Sequence, residues 1–236
     1  MRTQDITPPL IRSFFSHPPS LTAIHVLLDP KGKTLSHAFV EFSDPEAAKA
    51  ALRGAQKNAV LGKGRRARGV TVTRSSQEEL MGCLFPAWKG SWVGSKPSLA
   101  PHNAVSLNPH PNTSNPALLT TLQTGLLPSS ALSALHHLIR KPDAHFLKVP
   151  VLPFWVLVSL LRKLPVDGDS RVFWGRDVRD GLFGVVVGAL GVLGGRVAEA
   201  GGGGDEELLG VVFEASMSCE GAYICFSLYF IQWYMI

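Results

Sequence analysis

The sequence predicts an α+β fold for the first third of the chain, followed by a disordered linker and a small helical region. Two observations lead to this division. Between residues 6 and 85, amphipathic stretches alternate with strand-like ones, in the order helix, strand, strand, helix, strand, helix. Beyond them, residues 90–116 are rich in proline, serine and asparagine, a composition typical of linkers.

A short helix and a β-hairpin open the chain. Thr7 before Pro8 is typical of a helix start, and apolar spacing extends this helix to about residue 17. Residues 22–29 and 37–42 then read as two strands joined by a turn at 30–33. In the first strand, alternation predicts that every second apolar residue faces the core.

The second strand presents an aromatic ring on a face where polar side chains are usual. Strict alternation directs three of its residues away from the core side: His37, Phe39 and Glu41. An outward phenylalanine fits either a platform on which bases stack or a face hidden by a larger core. The surrounding sequence favours the platform.

The remaining elements of this part follow local signals. Asp44 and Pro45 begin an alanine-rich helix that ends near Gly54. The alternating run Val-Thr-Val-Thr predicts a strand at 70–73, and a capping pattern predicts a last helix at 77–84.

Positive charge is concentrated in this part of the chain. Residues 1–90 hold 13 Lys/Arg against 7 Asp/Glu, whereas the remainder holds 10 against 11. Such asymmetry is typical of polyanion binding, although a solvated loop or a nuclear-import signal is also compatible with a basic run. The residues predicted to contact phosphates are Lys31, Lys33, Lys63, Arg65, Arg66 and Arg68.

Residues 35–42 resemble the RNP-1 octapeptide of the RNA recognition motif family. Four residues match its pattern in position: Ala38, Phe39, Val40 and Phe42. His37 stands where the first stacking aromatic belongs, whereas Leu35 and Ser36 depart from the basic-glycine start. The resemblance spans about residues 6–85. It implies an incomplete ferredoxin-like sandwich that contacts single-stranded RNA through His37, Phe39 and Glu41.

The family's first strand has no counterpart here. Met1 to Asp5 are too few and too polar, so the strands at 37–42 and 70–73 lose the neighbour that the resemblance implies between them. Either these strands pair directly, or the sheet breaks, or the sequence is truncated relative to a functional relative. We expect truncation, with weak binding and open strand edges.

Residues 117–198 are predicted to be helical. Apolar spacing indicates helices at about 129–141, 153–164 and 169–197, which suits a small helical module able to dock a protein partner. Two strings, at 143–148 and 169–174, resemble an extension in an uncharacterised fungal family of proteins with RNA recognition motifs. That resemblance implies no chemistry.

The segment 199–236 is predicted to be a flexible glycine-rich break and an apolar tail. Its last residues, 221–236, carry no charge, so they read as a short anchor or as a non-native extension. The uncharged run at 181–195 is 15 residues long, short of the about 20 that a membrane span needs. A membrane partner is therefore not expected.

The function predicted from these observations is RNA binding without catalysis. No nucleophile, base and orienting group can be assembled by spacing, and the three cysteines form no metal or disulfide pattern, so no cofactor, metal or small-molecule substrate is expected. The alternative is a protein-interaction scaffold in which the incomplete sheet no longer binds RNA. A third possibility, a membrane-anchored protein, depends on the tail. An intracellular location is expected, with the nucleus favoured.

Overall fold

The computed structural model describes residues 6–15, 19–55, 59–62, 64, 67–98, 125–165, 176–200 and 203–219. It is a mixed α+β fold with small antiparallel sheets and several helices, which confirms the predicted fold class at that level. Its first part contains α1 (Pro8–Phe14), β1 (Leu21–Leu28), β2 (Thr34–Phe42), α2 (Pro45–Ala55), β3 (Val60–Leu61), β4 (Arg68–Gly69), α3 (Gln77–Leu84), β5 (Ser91–Val93) and β6 (Lys96–Ser98). Its second part contains α4 (Ser129–Arg140), α5 (Leu152–Lys163), α6 (Arg176–Ala200) and α7 (Gly204–Met217).

The strands form separate two-stranded sheets. β1 pairs antiparallel with β2, and His25 lies opposite Phe39 in this register. The predicted strand at 70–73 is wrong, because residues 70–76 are irregular. A strand needs a neighbour to satisfy its backbone groups. Among the described strands, β1 is the only one that pairs with β2, so the sheet does not extend to this segment.

The predicted linker begins too early. Residues 91–98 form the β5–β6 hairpin, and Trp92 is buried together with Trp88 just before it. The Trp88 indole N–H donates a hydrogen bond to the Ser91 carbonyl at 3.1 Å. Burial of two indoles outweighs the Pro/Ser composition of this stretch. The rest of the predicted linker, 99–116, lies outside the described residues.

The predicted flexible break is also wrong over residues 204–217, which form α7. Three acidic residues in its first turn interact favourably with the positive end of the helix dipole: Asp205, Glu206 and Glu207. Val212 and Ala215 bury its inner face in the core. Residues 220–236, including all of the predicted apolar tail, lie outside the described part of the chain.

One large hydrophobic cluster joins the two halves of the chain. It includes Leu27 of β1 and Met81 of α3 together with Phe154 of α5 and Leu193 of α6. A smaller cluster packs α1 and the other face of β1 against Leu152 and its neighbours. β1 is therefore covered on both faces, and α5 is the helix that contacts both clusters.

Helix α6 is longer than the uncharged run suggested. It packs against α4 and α7, and five of its residues face the core: Leu182, Val185, Val186, Ala189 and Leu193. By length and composition alone, residues 177–199 could cross a membrane, with a mean hydropathy of 1.8 and 28% of the most apolar window buried. A core helix of a soluble protein meets the same criteria, so this feature carries little weight on its own.

Candidate interaction groove beside strand β2

An open groove of about 1440 Å³ runs along β2. Every residue of β2 from Thr34 to Phe42 lines it, together with α2, the segment 69–76 and α3. In the part of the chain that the structure describes, β2 pairs only with β1. Its second edge therefore lies open, and we call this space the β2 groove.

Helix α2 forms one wall of the β2 groove. Asp44 starts the helix, because its carboxylate accepts a hydrogen bond from the Ala47 N–H at 2.7 Å. The helix is amphipathic, yet none of its residues is buried. Ala48 and Leu52 on its apolar face line the groove and remain partly exposed. An apolar helix face with so little cover is typical of a surface that binds a partner.

The segment 70–76 lines the β2 groove as well. Val70 donates its N–H to the Ala59 carbonyl at 2.8 Å, which attaches this segment to the chain before β3. Thr71 and Thr73 are exposed, and Val72 is partly exposed. Arg74 is exposed and forms no ion pair with the residues that the structure describes.

A polar cluster around Glu41 connects β2 to both halves of the protein. His25 Nε2 donates to Glu41 Oε2 at 2.9 Å, and Lys163 Nζ lies 2.6 Å from Glu41 Oε1. The Gln77 amide also donates to Glu41 and accepts a hydrogen bond from Lys163 at 3.3 Å. Glu41 and Lys163 are 14% and 18% exposed, so this ion pair is well shielded from water.

These contacts stabilise the ionised form of Glu41. Burial by itself raises the pKa of the carboxyl group, but the hydrogen bonds from His25, Lys163 and Gln77 outweigh it and lower the pKa to about 2. His25 is itself 1% exposed, and its Nδ1 has no hydrogen-bond partner among the described residues. A carboxylate held in this way acts as a structural connection and is not available as a general acid or base near neutral pH.

The predicted stacking face is only partly open. The prediction that Phe39 and Glu41 face solvent is wrong, because Phe39 packs against the large hydrophobic cluster and Glu41 belongs to the polar cluster. Gln77 and Cys83 of α3 and Lys163 of α5 contact residues of this face. His37 is exposed, as predicted, and its ring meets Phe39 edge-on with centroids 5.2 Å apart.

The predicted basic residues do not gather in the β2 groove. Lys31 and Lys33 lie at the tip of the β1–β2 hairpin, where their backbone N–H groups donate to the Asp29 carboxylate at 2.9 Å. Their exposed side chains are not among the groove-lining residues. Arg68 lies in β4 beside the groove and is partly exposed. The other three predicted cations, Lys63, Arg65 and Arg66, lie outside the described residues.

A cysteine and a histidine meet at the edge of the β2 groove. Cys83 Sγ lies 3.5 Å from His37 Nε2, and Ser36 Oγ lies 3.5 Å from the other ring nitrogen. Burial and the Glu79 carboxylate raise the pKa of the Cys83 thiol, which keeps it protonated. This arrangement lacks an activated nucleophile. Among the residues that the structure describes, no three His, Cys, Asp or Glu side chains cluster as metal ligands would.

One family model matches the chain, and its description is a domain of unknown function, DUF8400. The match covers residues 3–94, which include the β2 groove and end at the turn of the β5–β6 hairpin. No curated protein and no solved structure matches the chain. The matched region therefore contains the groove-lining residues of the first part of the chain, but it excludes α5, whose Lys163 also lines the groove.

Proposed function

We propose that this protein is a non-catalytic interaction protein that binds a polypeptide in the β2 groove. The observation that carries the proposal is the open second edge of β2, which lies beside the uncovered apolar face of α2. Sheet edges and exposed apolar helix faces are both common polypeptide-binding surfaces. The raised pKa of Cys83 and the fully bonded Glu41 carboxylate favour binding over catalysis.

The proposal also accounts for the resemblance between residues 35–42 and the RNA recognition motif family. In this interpretation, the first part of the chain is an incomplete ferredoxin-like sandwich that lacks a strand next to β2. Support comes from the observed order of α1, β1, β2 and α2, and from the groove along β2. In this interpretation, a partner polypeptide pairs with the edge of β2 that no described strand occupies.

The test selects peptides from a random display library on the intact chain and compares two tryptophan variants. In Ala48→Trp the new side chain fills the β2 groove, whereas in Ala198→Trp it lies on the exposed side of α6. We expect enriched peptides to bind Ala48→Trp about tenfold or more weakly, a change of about 1.4 kcal/mol, and to bind Ala198→Trp normally. Equal binding to both variants would contradict the proposed function.

A second candidate function is single-stranded RNA binding. It is favoured by the exposed His37 ring at the groove and by the excess positive charge of residues 1–90. Fluorescence anisotropy of a labelled RNA pool with the intact chain tests it across a salt series. Affinity should fall as salt rises, and His37→Ala should weaken binding at each salt concentration. Absence of binding at low salt would exclude this candidate.

We propose an intracellular location for either function, with the nucleus favoured for RNA binding.

A further inference from the structure

We propose that the β2 groove takes up one extended peptide strand, in which apolar residues alternate with acidic ones, and that this strand pairs with the open edge of β2. This inference rests on the proposed function, because it specifies the partner and binding mode of the same groove. It states which backbone groups bind, which side chains enter the groove and what charge the partner carries.

The backbone of β2 provides the first argument. In an antiparallel pair, every second residue directs its N–H and C=O groups toward the neighbouring strand, and the others point away. β1 occupies one edge of β2, and the register between them is regular from Ala38 to Glu41, with an irregularity on either side. Within this stretch, alternate residues direct their N–H and C=O groups away from β1, toward the edge with which no described strand pairs. An added strand would satisfy them by the strand-addition mode of peptide recognition.

The groove wall provides the second argument. The apolar side chains of Val40, Ala48, Leu52 and Leu61 line the groove, and the first three are only partly buried. A strand that continues the β1–β2 sheet turns alternate side chains to opposite faces. Every second side chain of the peptide would thus meet this apolar wall. The small alanine at position 48 leaves room for β-branched residues such as valine.

Charge provides the third argument. Two carboxylates line the groove: Glu41 is paired with Lys163 and His25, and Glu79 accepts a hydrogen bond from the Ser75 hydroxyl. Arg74 lines the same groove and has no ion-pair partner in the described part of the chain. Arg74 is therefore the groove-lining charge that an acidic side chain of the partner would neutralise.

The experiment uses the intact chain and a fluorescent octapeptide in which valine alternates with glutamate. Two further versions carry backbone N-methyl groups on one or the other alternate set of residues. Because only one set would donate hydrogen bonds to β2, we expect one methylated version to bind about tenfold or more weakly and the other to bind normally. Ala48→Trp should abolish binding of the parent octapeptide, and Ala198→Trp should not. Binding should also weaken with added salt.

The outcomes separate this inference from the proposed function. Equal binding of the two methylated peptides would overturn strand pairing, even if Ala48→Trp showed that the groove is used. Failure of the octapeptide where library peptides bind would overturn the predicted chemistry and leave the proposed function standing. Failure of all peptides would overturn both. A groove filled by a second copy would appear as a dimer that Ala48→Trp dissociates, and an RNA-binding groove as RNA affinity without peptide affinity. Either result would also overturn the inference.

Discussion

Lys163 Nζ lies 2.6 Å from Glu41 Oε1, although 122 residues separate the two in the sequence. Strand β2 carries the carboxylate and the last turn of α5 carries the ammonium group. Both side chains line the β2 groove. It also ties the region matched by the family model to a helix outside that match.

Replacement of Lys163 by methionine is expected to destabilise the protein. The change removes the charge but keeps an apolar stem, so Glu41 loses its counterion inside a shielded cluster. Unpaired charges of this kind cost about 3 kcal/mol of the free energy of unfolding. Urea denaturation of the intact chain measures the change. The matched control is Lys141→Met at the exposed end of α4, which should stay within about 0.5 kcal/mol of the parent.

Stability should depend on pH through Glu41. Its pKa falls from an ordinary 4.5 to about 2 on folding, so the folded protein binds fewer protons than the unfolded chain between these values. The contribution of Glu41 is complete above about pH 4.5 and is lost as the pH falls toward 2. Urea denaturation at pH 3 and at pH 6 measures this dependence. The free energy of unfolding should differ less between the two pH values for Glu41→Gln than for the parent. An equal difference would contradict the role of Glu41.

Phe39 and His37 should behave differently when truncated. Phe39→Ala removes a ring that packs against the large hydrophobic cluster, and we expect a loss of about 2 kcal/mol in the free energy of unfolding. His37 is exposed, so His37→Ala should cost less than about 1 kcal/mol. Thermal unfolding of the two variants tests this order. The reverse order would mean that Phe39 is available for stacking and His37 is structural.

Two glycines of α6 form a matched pair that tests how this helix packs. A Cβ atom at Gly188 would lie 2.5 Å from His136 Nε2 of α4, whereas one at Gly191 would meet no atom within 4 Å. Gly191→Ala should stabilise the protein by up to about 1 kcal/mol through helix propensity. Gly188→Ala should lose this gain, because the ring of His136 must move. Equal stabilisation by both would contradict the α4–α6 contact.

Residues 1–98 alone should be less stable than the intact chain. Met81 and Phe85 are fully buried, and the cluster that covers them includes Phe154 and Leu182 from the second half. Removal of those helices exposes the buried face of α3 to solvent, and Glu41 loses its ion pair with Lys163. Circular dichroism and urea denaturation of this fragment measure the loss. A fragment as stable as the parent would mean that the first half forms its own core.

Local signals predicted much of the fold. The helices at 77–84 and 129–140 were predicted to within about a residue at each end, because their signals are local: the Ser76 cap immediately before the first, and the apolar spacing within the second. The β1–β2 hairpin was predicted for the same reason. The prediction of a strand at 70–73 failed because alternation shows only that a strand is possible, whereas a hydrogen-bonded strand also requires a neighbouring strand to pair with.

The candidate site was harder to predict. His37 is exposed, but so are its neighbours Ser36 and Ala38, so its exposure does not follow from the alternation of the strand. His25 was assigned no role, although a histidine between two apolar residues of a strand that is buried on both faces was a signal that its ring needs a buried partner. Glu41 takes its partners from β1, α3 and α5, and Phe39 packs against a cluster to which both halves of the chain contribute.

By itself, the sequence determined the local elements, the concentration of positive charge in the first 90 residues and the alternation of β2. The tertiary structure alone decided which face of β2 is covered, that one hydrophobic cluster joins both halves, and that β1 is the only described strand to pair with β2. The physical reason is the range of the interactions. Capping and periodicity act over a few residues, whereas the burial of Phe39 and the pairing of Glu41 with Lys163 require segments that the chain brings together only on folding.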